Sequence, residues 1–304
     1  MASRYTFPMT TAAEPPRPRW LTMLRLHKIP SDSRPSPVVQ IAALLVAFVF
    51  LLPFLVLVTT SLKTLPEATA FPPTLLPDDA QWGNFKQALV EMDFLRYLLN
   101  TLLVCGLNVC GTVLSCAMAA WAFAHFRFRG SGAFFALTLA TMMIPFPVLM
   151  VPQYAIFREL GWIGTFKPLW VPAWFGVAYN IFLLRQFFLS IPRTLTEAAR
   201  IDGCGEIRIF VQLVLPLSRS ALLVVALFTF MYHWNDFMAP LIFLTDDTQF
   251  TLALGLQAFQ TQLGGVEVNL LMAATLVMIL PVTVLFFLCQ KSFMQGISLT
   301  GLKE

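Results

Sequence analysis

The sequence predicts an all-α polytopic membrane protein, with six transmembrane helices and a polar helical elbow between two of them. Three observations predict it. Apolar residues make up 58% of the 304 residues and charged ones only 12%, about half the charge of a soluble domain. The charges are also clustered. No Asp, Glu, Lys, Arg or His falls between Arg34 and Lys63, Arg96 and His125, or Arg129 and Arg158. Each gap exceeds the ~20 residues that cross a bilayer core. The third observation is residues 193–216, a polar segment between long apolar runs, too polar to span lipid and too apolar to be a tail.

Before the first span, residues 1–37 hold seven prolines and six basic residues. That composition predicts a disordered tail serving as a topology signal. The first apolar run starts too late and is too long for a cleaved signal peptide. Span one covers about residues 38–60, with Pro53 a kink that neighbouring helices can satisfy. The outer segment after it carries Pro66, Pro72, Pro73 and Pro77, then a more helical stretch from Trp82. Span two, about 97–123, contains Gly106, Gly111, Ser115, Ala117, Ala119 and Ala120. Small residues allow close helix approach in lipid, so this span belongs inside the bundle. Span three, about 133–154, is interrupted at Ile144-Pro145-Phe146-Pro147. Spans four, five and six cover about 169–189, 217–239 and 268–290. Trp82, Trp162, Trp170, Trp174 and Trp234 fall near expected outer interfaces, as an aromatic belt would.

Basic residues orient the chain. Six lie in the N-terminal tail; Arg127 and Arg129 follow span two, Arg193, Arg200 and Arg208 lie in the elbow, and Lys291 and Lys303 end the chain. The segment Thr64–Arg96 carries two basic against five acidic residues, and Ala239–Glu267 carries no basic residue. The positive-inside rule then puts both termini and the elbow in the cytoplasm.

Within the elbow, Thr194 and Glu197 have capping-box spacing after Pro192. Gly203 and Gly205 can supply the positive φ that ends a first short helix. Ile207, Phe210, Val211 and Val214 recur at i, i+3, i+4 and i+7, an apolar stripe on a second helix. Such an element suits a groove on a soluble partner. The five cysteines show no zinc or redox spacing, and no Walker loop, HExxH or Ser/His/Asp constellation occurs. Composition and motifs predict no catalytic machinery, no cofactor or metal and no nucleic-acid partner.

The run from Glu197-Ala198-Ala199 through Asp202-Gly203 to Leu215-Pro216 resembles the coupling loop of ABC importer permeases, with Leu213 where isoleucine is commoner. Further matches are Asn84-Phe85, Asn100-Thr101, Ala122 to Gly130, Met142 to Pro145, Leu183 to Phe188, Trp234 to Phe237 and Leu280-Pro281. These look like the sugar-importer branch, which includes the smaller membrane subunit of the maltose importer. The ending Gly296 to Lys303 is a looser variant of the family's pattern. The resemblance implies a bacterial or archaeal inner-membrane permease subunit, moving a sugar or oligosaccharide by alternating access. Its implied partners are a second homologous permease subunit, two ATPase subunits that bind ATP and Mg, and an extracytoplasmic substrate-binding protein. It implies ATPase coupling through Glu197, Ala198, Ala199, Asp202, Gly203, Leu215 and Pro216.

Trp234, Asn235 and Asp236 form a candidate substrate pathway, although Asn235 and Asp236 can equally pair with neighbouring helices. The alternative, a proton- or sodium-coupled transporter, requires ionisable residues within its spans as relays. The span interiors here are almost free of them. A structural or assembly membrane protein, the third class, would need no such elbow.

Overall fold

The computed structural model describes residues 36–262, 264 and 267–300. The N-terminal tail and the last part of the Gly296–Lys303 ending therefore lie outside the described residues. Every regular element among the described residues is helical. They are α1 (Pro37–Ser61), α2 (Leu65–Thr69), α3 (Gly83–Glu91), α4 (Phe94–His125), α5 (Ser131–Thr141), α6 (Phe146–Glu159) and α7 (Lys167–Trp170). A 3-10 stretch, Val171–Phe175, leads to α8 (Ala178–Leu189), followed by α9 (Arg193–Ile201) and α10 (Glu206–Ile209). A π-helical stretch, Phe210–Val214, joins α10 to α11 (Leu215–Leu217). The rest are α12 (Arg219–Trp234), α13 (Met238–Phe243), α14 (Leu252–Gln262) and α15 (Val268–Thr300). The chain divides into two compact units, one ending at Leu52, which holds most of α1, and one beginning at Pro53; apart from α1, the features that follow belong to the second.

Three helices are long and apolar enough to cross a membrane: α1, α4 and Val268–Gln290 of α15. Three further pairs meet the same test only as bent units. They are α5 with α6 (98°), Lys167–Leu189 with α9 (75°), and Glu206–Leu217 with α12 (78°). The first bend falls at Met142–Pro145, where Pro145 and Pro147 deny the backbone two donors, close to the expected interruption.

The centre of this unit is α4. In the most apolar 18-residue stretch of α4, 39% is buried, against 17% for α15. Three core clusters run along it. At its end, Trp121 and Ala124 join Leu184, Phe188, Ile209, Val214 and Val225. At its start, Phe94 and Cys105 join Ala88, Trp234, Leu252 and Leu270. Val104 meets Phe157, Leu169, Phe243 and Leu254 in the third. Lipid tails are as apolar as leucine, so close packing rather than water exclusion holds such helices together. Gly111 shows the point: a Cβ there would sit 2.3 Å from the indole of Trp174. The expectation that span two packs inside the bundle is met here.

Two expectations about tryptophan are corrected. Trp234 is not part of a surface belt; it is 1% exposed and stacks on Phe230 with ring centroids 5.2 Å apart. Trp174 packs against the middle of α4, with Nε1 donating to the Leu107 carbonyl at 3.1 Å.

Candidate functional site: the helical elbow and its anchorage

Residues 193–217 form two helical limbs meeting at Gly203. The first limb, α9, starts at Arg193 with Pro192 as its N-cap, and no side chain caps it. The expected Thr194–Glu197 capping box is therefore absent. Thr194 lies inside the first turn, past the position from which its oxygen could meet the free N–H groups. Glu197 is left exposed, and its side chain makes no hydrogen bond among the described residues. The capping box of this chain lies elsewhere, at Thr64 and Glu67.

The end of α9 follows a Schellman pattern. Gly203 has φ +82°, its N–H donates to the Arg200 carbonyl at 3.0 Å, and Cys204 N–H donates to the Ala199 carbonyl at 2.9 Å. Ala199 and Cys204 both pack partly buried against the core cluster at the end of α4, the apolar contact that accompanies this motif. Gly205, with φ −71°, is not in the left-handed region and starts the next limb as its N-cap. Arg200 braces the turn from outside, with Nε and Nη2 donating to the two Glu206 carboxylate oxygens at 2.6 and 3.2 Å. That bidentate contact holds the Glu206 carboxyl below its usual range.

The second limb departs from the expected stripe. Val214 is buried and Phe210 half-buried, but Ile207 is 82% exposed and Val211 is exposed as well. The buried face is Ile209, Phe210, Leu213 and Val214. The widened π-helical turn shifts the register, and a 3.6-residue period could not reveal it. As a result Leu195, Ile201, Ile207 and Val211 are exposed on the two limbs, beside exposed Glu197, Ala198, Asp202 and Gly203. Pro216 is exposed too, and Leu215 half-buried.

The elbow is bolted to the bundle by aromatic contacts. Trp121 of α4 meets Phe210 at 6.0 Å and the edge of Phe188 at 6.3 Å, and His125 stacks on it at 3.6 Å. Arg185 of α8 donates from Nε to the Phe123 carbonyl at 3.2 Å, capping the last turn of α4, while its guanidinium lies 4.3 Å over the Phe135 ring. Motions of the elbow are thereby tied to α4, α8 and α12.

At the opposite end of α4, two adjacent polar residues hold the 246–252 loop. Asn100 Nδ2 donates to the carbonyls of Thr248 and Phe250, both at 3.0 Å. Thr101 Oγ1 accepts from Leu252 N–H at 2.8 Å. Asn84 does similar work for α1, donating to the carbonyls of Ser61 at 2.9 Å and Lys63 at 2.8 Å. The sequence motifs containing these asparagines are thus structural clips.

Of the three pathway candidates, Trp234 is a core residue with no accessible face. Asn235 is exposed, with Nδ2 donating to the Met231 carbonyl at 2.8 Å, and Asp236 Oδ1 accepts from Ala239 N–H at 3.2 Å. Both side chains serve the break between α12 and α13.

Comparison with known proteins places this architecture. The model of the binding-protein-dependent transport system inner membrane component family matches residues 111–298, a stretch that holds the whole elbow. The chain belongs to that family. The arabinooligosaccharides transport system permease protein AraQ of Halalkalibacterium halodurans is 31% identical over 85% of this chain and 93% of its own length. The probable ABC transporter permease protein YurM of Bacillus subtilis is 35% identical over 75% of this chain and 76% of its own. The sn-glycerol-3-phosphate transport system permease protein UgpE of Pectobacterium atrosepticum is 31% identical over 76% and 84%. A chain of a bacterial ABC transporter that imports the acidic polysaccharide alginate shares the fold, with TM-score 0.73 and 23% identity over 85% of this chain and 98% of that one. The protein is therefore an inner-membrane permease subunit of an ABC importer.

Sequence reasoning missed several residues of this permease that matter. The Ala199–Cys204 pair was readable only as part of a helix-ending motif. Asn108, Ser115 and Cys116 of α4 read as scattered small or polar residues. Their spacing of seven and one, with Thr112 between, was the signal that one face of α4 is polar.

Proposed function

We propose that this permease translocates a sugar or oligosaccharide, delivered by an extracytoplasmic binding protein, through alternating access driven at the elbow. The carrying observation is the exposed Glu197–Gly203 surface with its apolar flank, fastened from behind to α4, α8 and α12. A surface that is apolar outside and rigid inside suits a soluble partner that pushes on it. Each of two ATPase subunits, holding ATP and Mg, supplies that push, one to this chain and one to a second, homologous permease subunit. Glu197 and Asp202 contribute charge, Ala198 and Ala199 close approach, Gly203 the turn, and Leu215 with Pro216 the exit into α12. Both termini and the elbow face the cytoplasm, and six spans result when α1, α4, α5 with α6, Lys167–Leu189, α12 and Val268–Gln290 each cross once. Asn235 and Asp236 serve the α12–α13 break rather than the pathway.

The carbohydrate assignment rests on named relatives, among them the arabinooligosaccharide permease. The test is reconstitution of the chain with its co-purifying partners in proteoliposomes. ATP-dependent uptake of arabinotriose or maltotriose, requiring the binding protein, is the expected result. Uptake driven by a proton or sodium gradient without ATPase subunits would refute the reading.

A further inference from the structure

The helix expected at residues 169–189 is broken, and the break lies beside the middle of α4. Between α7 and α8 the chain passes through the 3-10 stretch Val171–Phe175 and then Gly176 at φ +95°. Its partners on α4 are Leu107, Asn108, Gly111, Ser115 and Cys116. At 1.5 Å per residue, Gly111 lies about 26 Å from Phe94 and about 21 Å from His125. The irregular backbone is thus near mid-depth of the longest buried span.

One side of the break is held by side chains of α4. Asn108 Nδ2 donates to the Leu169 carbonyl at 2.9 Å, and Ser115 Oγ donates to the Ala173 carbonyl at 3.2 Å. Val177 N–H donates to Cys116 Sγ at 3.2 Å. The other side is open: Trp174 is 42% exposed, Phe175 85% and Tyr179 45%. Backbone that leaves the helix at membrane depth is tolerated against protein or a water-filled cavity, not against lipid. A second observation is that polar groups line the α4 side of the break. The buried oxygens Asn108 Oδ1 and Thr112 Oγ1 on α4, and Asn180 Oδ1 one turn past the break, make no hydrogen bond among the described residues. Such groups need an outside donor or acceptor.

We propose that the Trp170–Val177 break lines the solute passage and presents Trp174, Phe175 and Tyr179 to a carbohydrate. Aromatic faces suit the C–H faces of pyranose and furanose rings, and the tyrosine hydroxyl adds a polar contact. Gly111 seats the Trp174 indole against α4, which orients the exposed remainder of the ring. The inference rests on the importer reading for its solute class, but its geometry can fail separately.

The experiment uses the whole complex in membranes, with Phe175→Cys placed in a chain whose five cysteines are replaced, Cys116 by Ser to keep its polar contact. The probes are a membrane-impermeant trimethylammonium methanethiosulfonate and a lipid-soluble maleimide. Expected is reaction with the charged reagent, slowed when binding protein and arabinotriose, maltotriose or sn-glycerol 3-phosphate are added. Reaction with the maleimide alone would put position 175 against lipid, and reaction with neither would put it under another subunit; either overturns the proposal. Reaction that none of the three solutes slows overturns the solute-facing role. If the cysteine-replaced complex fails to assemble, Phe175→Ala in the native chain decides. Uptake should fall roughly three- to tenfold, the scale of one aromatic contact, while binding-protein-stimulated ATP hydrolysis persists. Unchanged uptake would overturn the proposal, and a complex with no ATP-dependent transport at all would instead fail the importer reading.

Discussion

Replacing Gly203 by valine isolates the backbone of the elbow from its surface. The glycine sits at φ +82°, and a Cβ built there meets nothing within 4 Å. No steric clash with the rest of the chain confuses the result. The cost is conformational: holding an L-residue in the left-handed region costs roughly 1–2 kcal/mol, and a β-branched side chain lies at the unfavourable end. That lowers the population of the turn by a factor of about 5–30 relative to its alternatives. The two hydrogen bonds that depend on it, Gly203 to Arg200 and Cys204 to Ala199, loosen together. The bundle core lies behind Ile209 and Val214 and is untouched, so membrane abundance should stay near normal. Binding-protein-stimulated ATP hydrolysis by the purified complex should fall several-fold, or the ATPase subunits should co-purify poorly. Gly203→Asn is the control, because asparagine visits the left-handed region at lower cost, and it should recover most of the activity. A well-assembled valine complex with undiminished stimulated hydrolysis would refute the reasoning. So would a drop in abundance with normal turnover per surviving complex, which would make the turn a folding element only.

Glu197→Ala should leave thermal stability of the complex within about 0.5 kcal/mol, because an exposed residue that caps nothing contributes little, yet ATPase association or coupled hydrolysis should drop. Single cysteines at Thr74 and Asp247 should react with an impermeant maleimide from outside intact cells, and those at Gly130 and Glu206 only after permeabilisation; outside labelling at 206 would overturn the orientation. Glu67, whose carboxylate accepts from the Thr64 and Asp78 N–H groups, is held down at about 2 against an ordinary 4.5. A depressed carboxyl stabilises above its unfolded value and loses that contribution as pH falls through the folded one. Relative to intrinsic exchange at each pH, amide hydrogen exchange at Thr64 and Asp78 should therefore stay slow above pH 4.5 and quicken toward pH 2. Glu67→Gln should quicken it at pH 7 already; equal protection in both chains would remove the clip.

The features that survived from sequence to structure were those set by composition and by glycine. Charge-free stretches mark α1, α4 and Val268–Gln290 of α15 to within a few residues, because desolvation of a charge dominates every other local preference in lipid. Gly203 was readable since only glycine closes a helix cheaply at positive φ. Local signatures that depend on register were not. Thr194 and Glu197 have the spacing of a cap, yet the helix begins two residues too early for the threonine to act. The Ile207–Val214 stripe assumed a uniform period that the π-helical turn interrupts. The break at Gly176 escaped notice because Pro168 to Leu184 carries no charged residue, and hydropathy does not distinguish a continuous helix from one whose hydrogen bonds are taken over by a neighbour. The tryptophans misled for a related reason: an indole packed against a neighbouring helix and one at a headgroup look alike in sequence.

The anchorage of α4 at both ends turns it into a rigid beam. No proline interrupts its 32 residues, a length of about 48 Å. Trp121 and His125 lie under the elbow, and Asn100 and Thr101 hold the far loop. A tilt of about 5° about one end displaces the other by about 4 Å over such a length. The 246–252 loop, whose backbone is held by the short side chains of Asn100 and Thr101, must travel with it. Work done on the elbow surface is thereby felt, with little loss, by whatever rests against that distant loop.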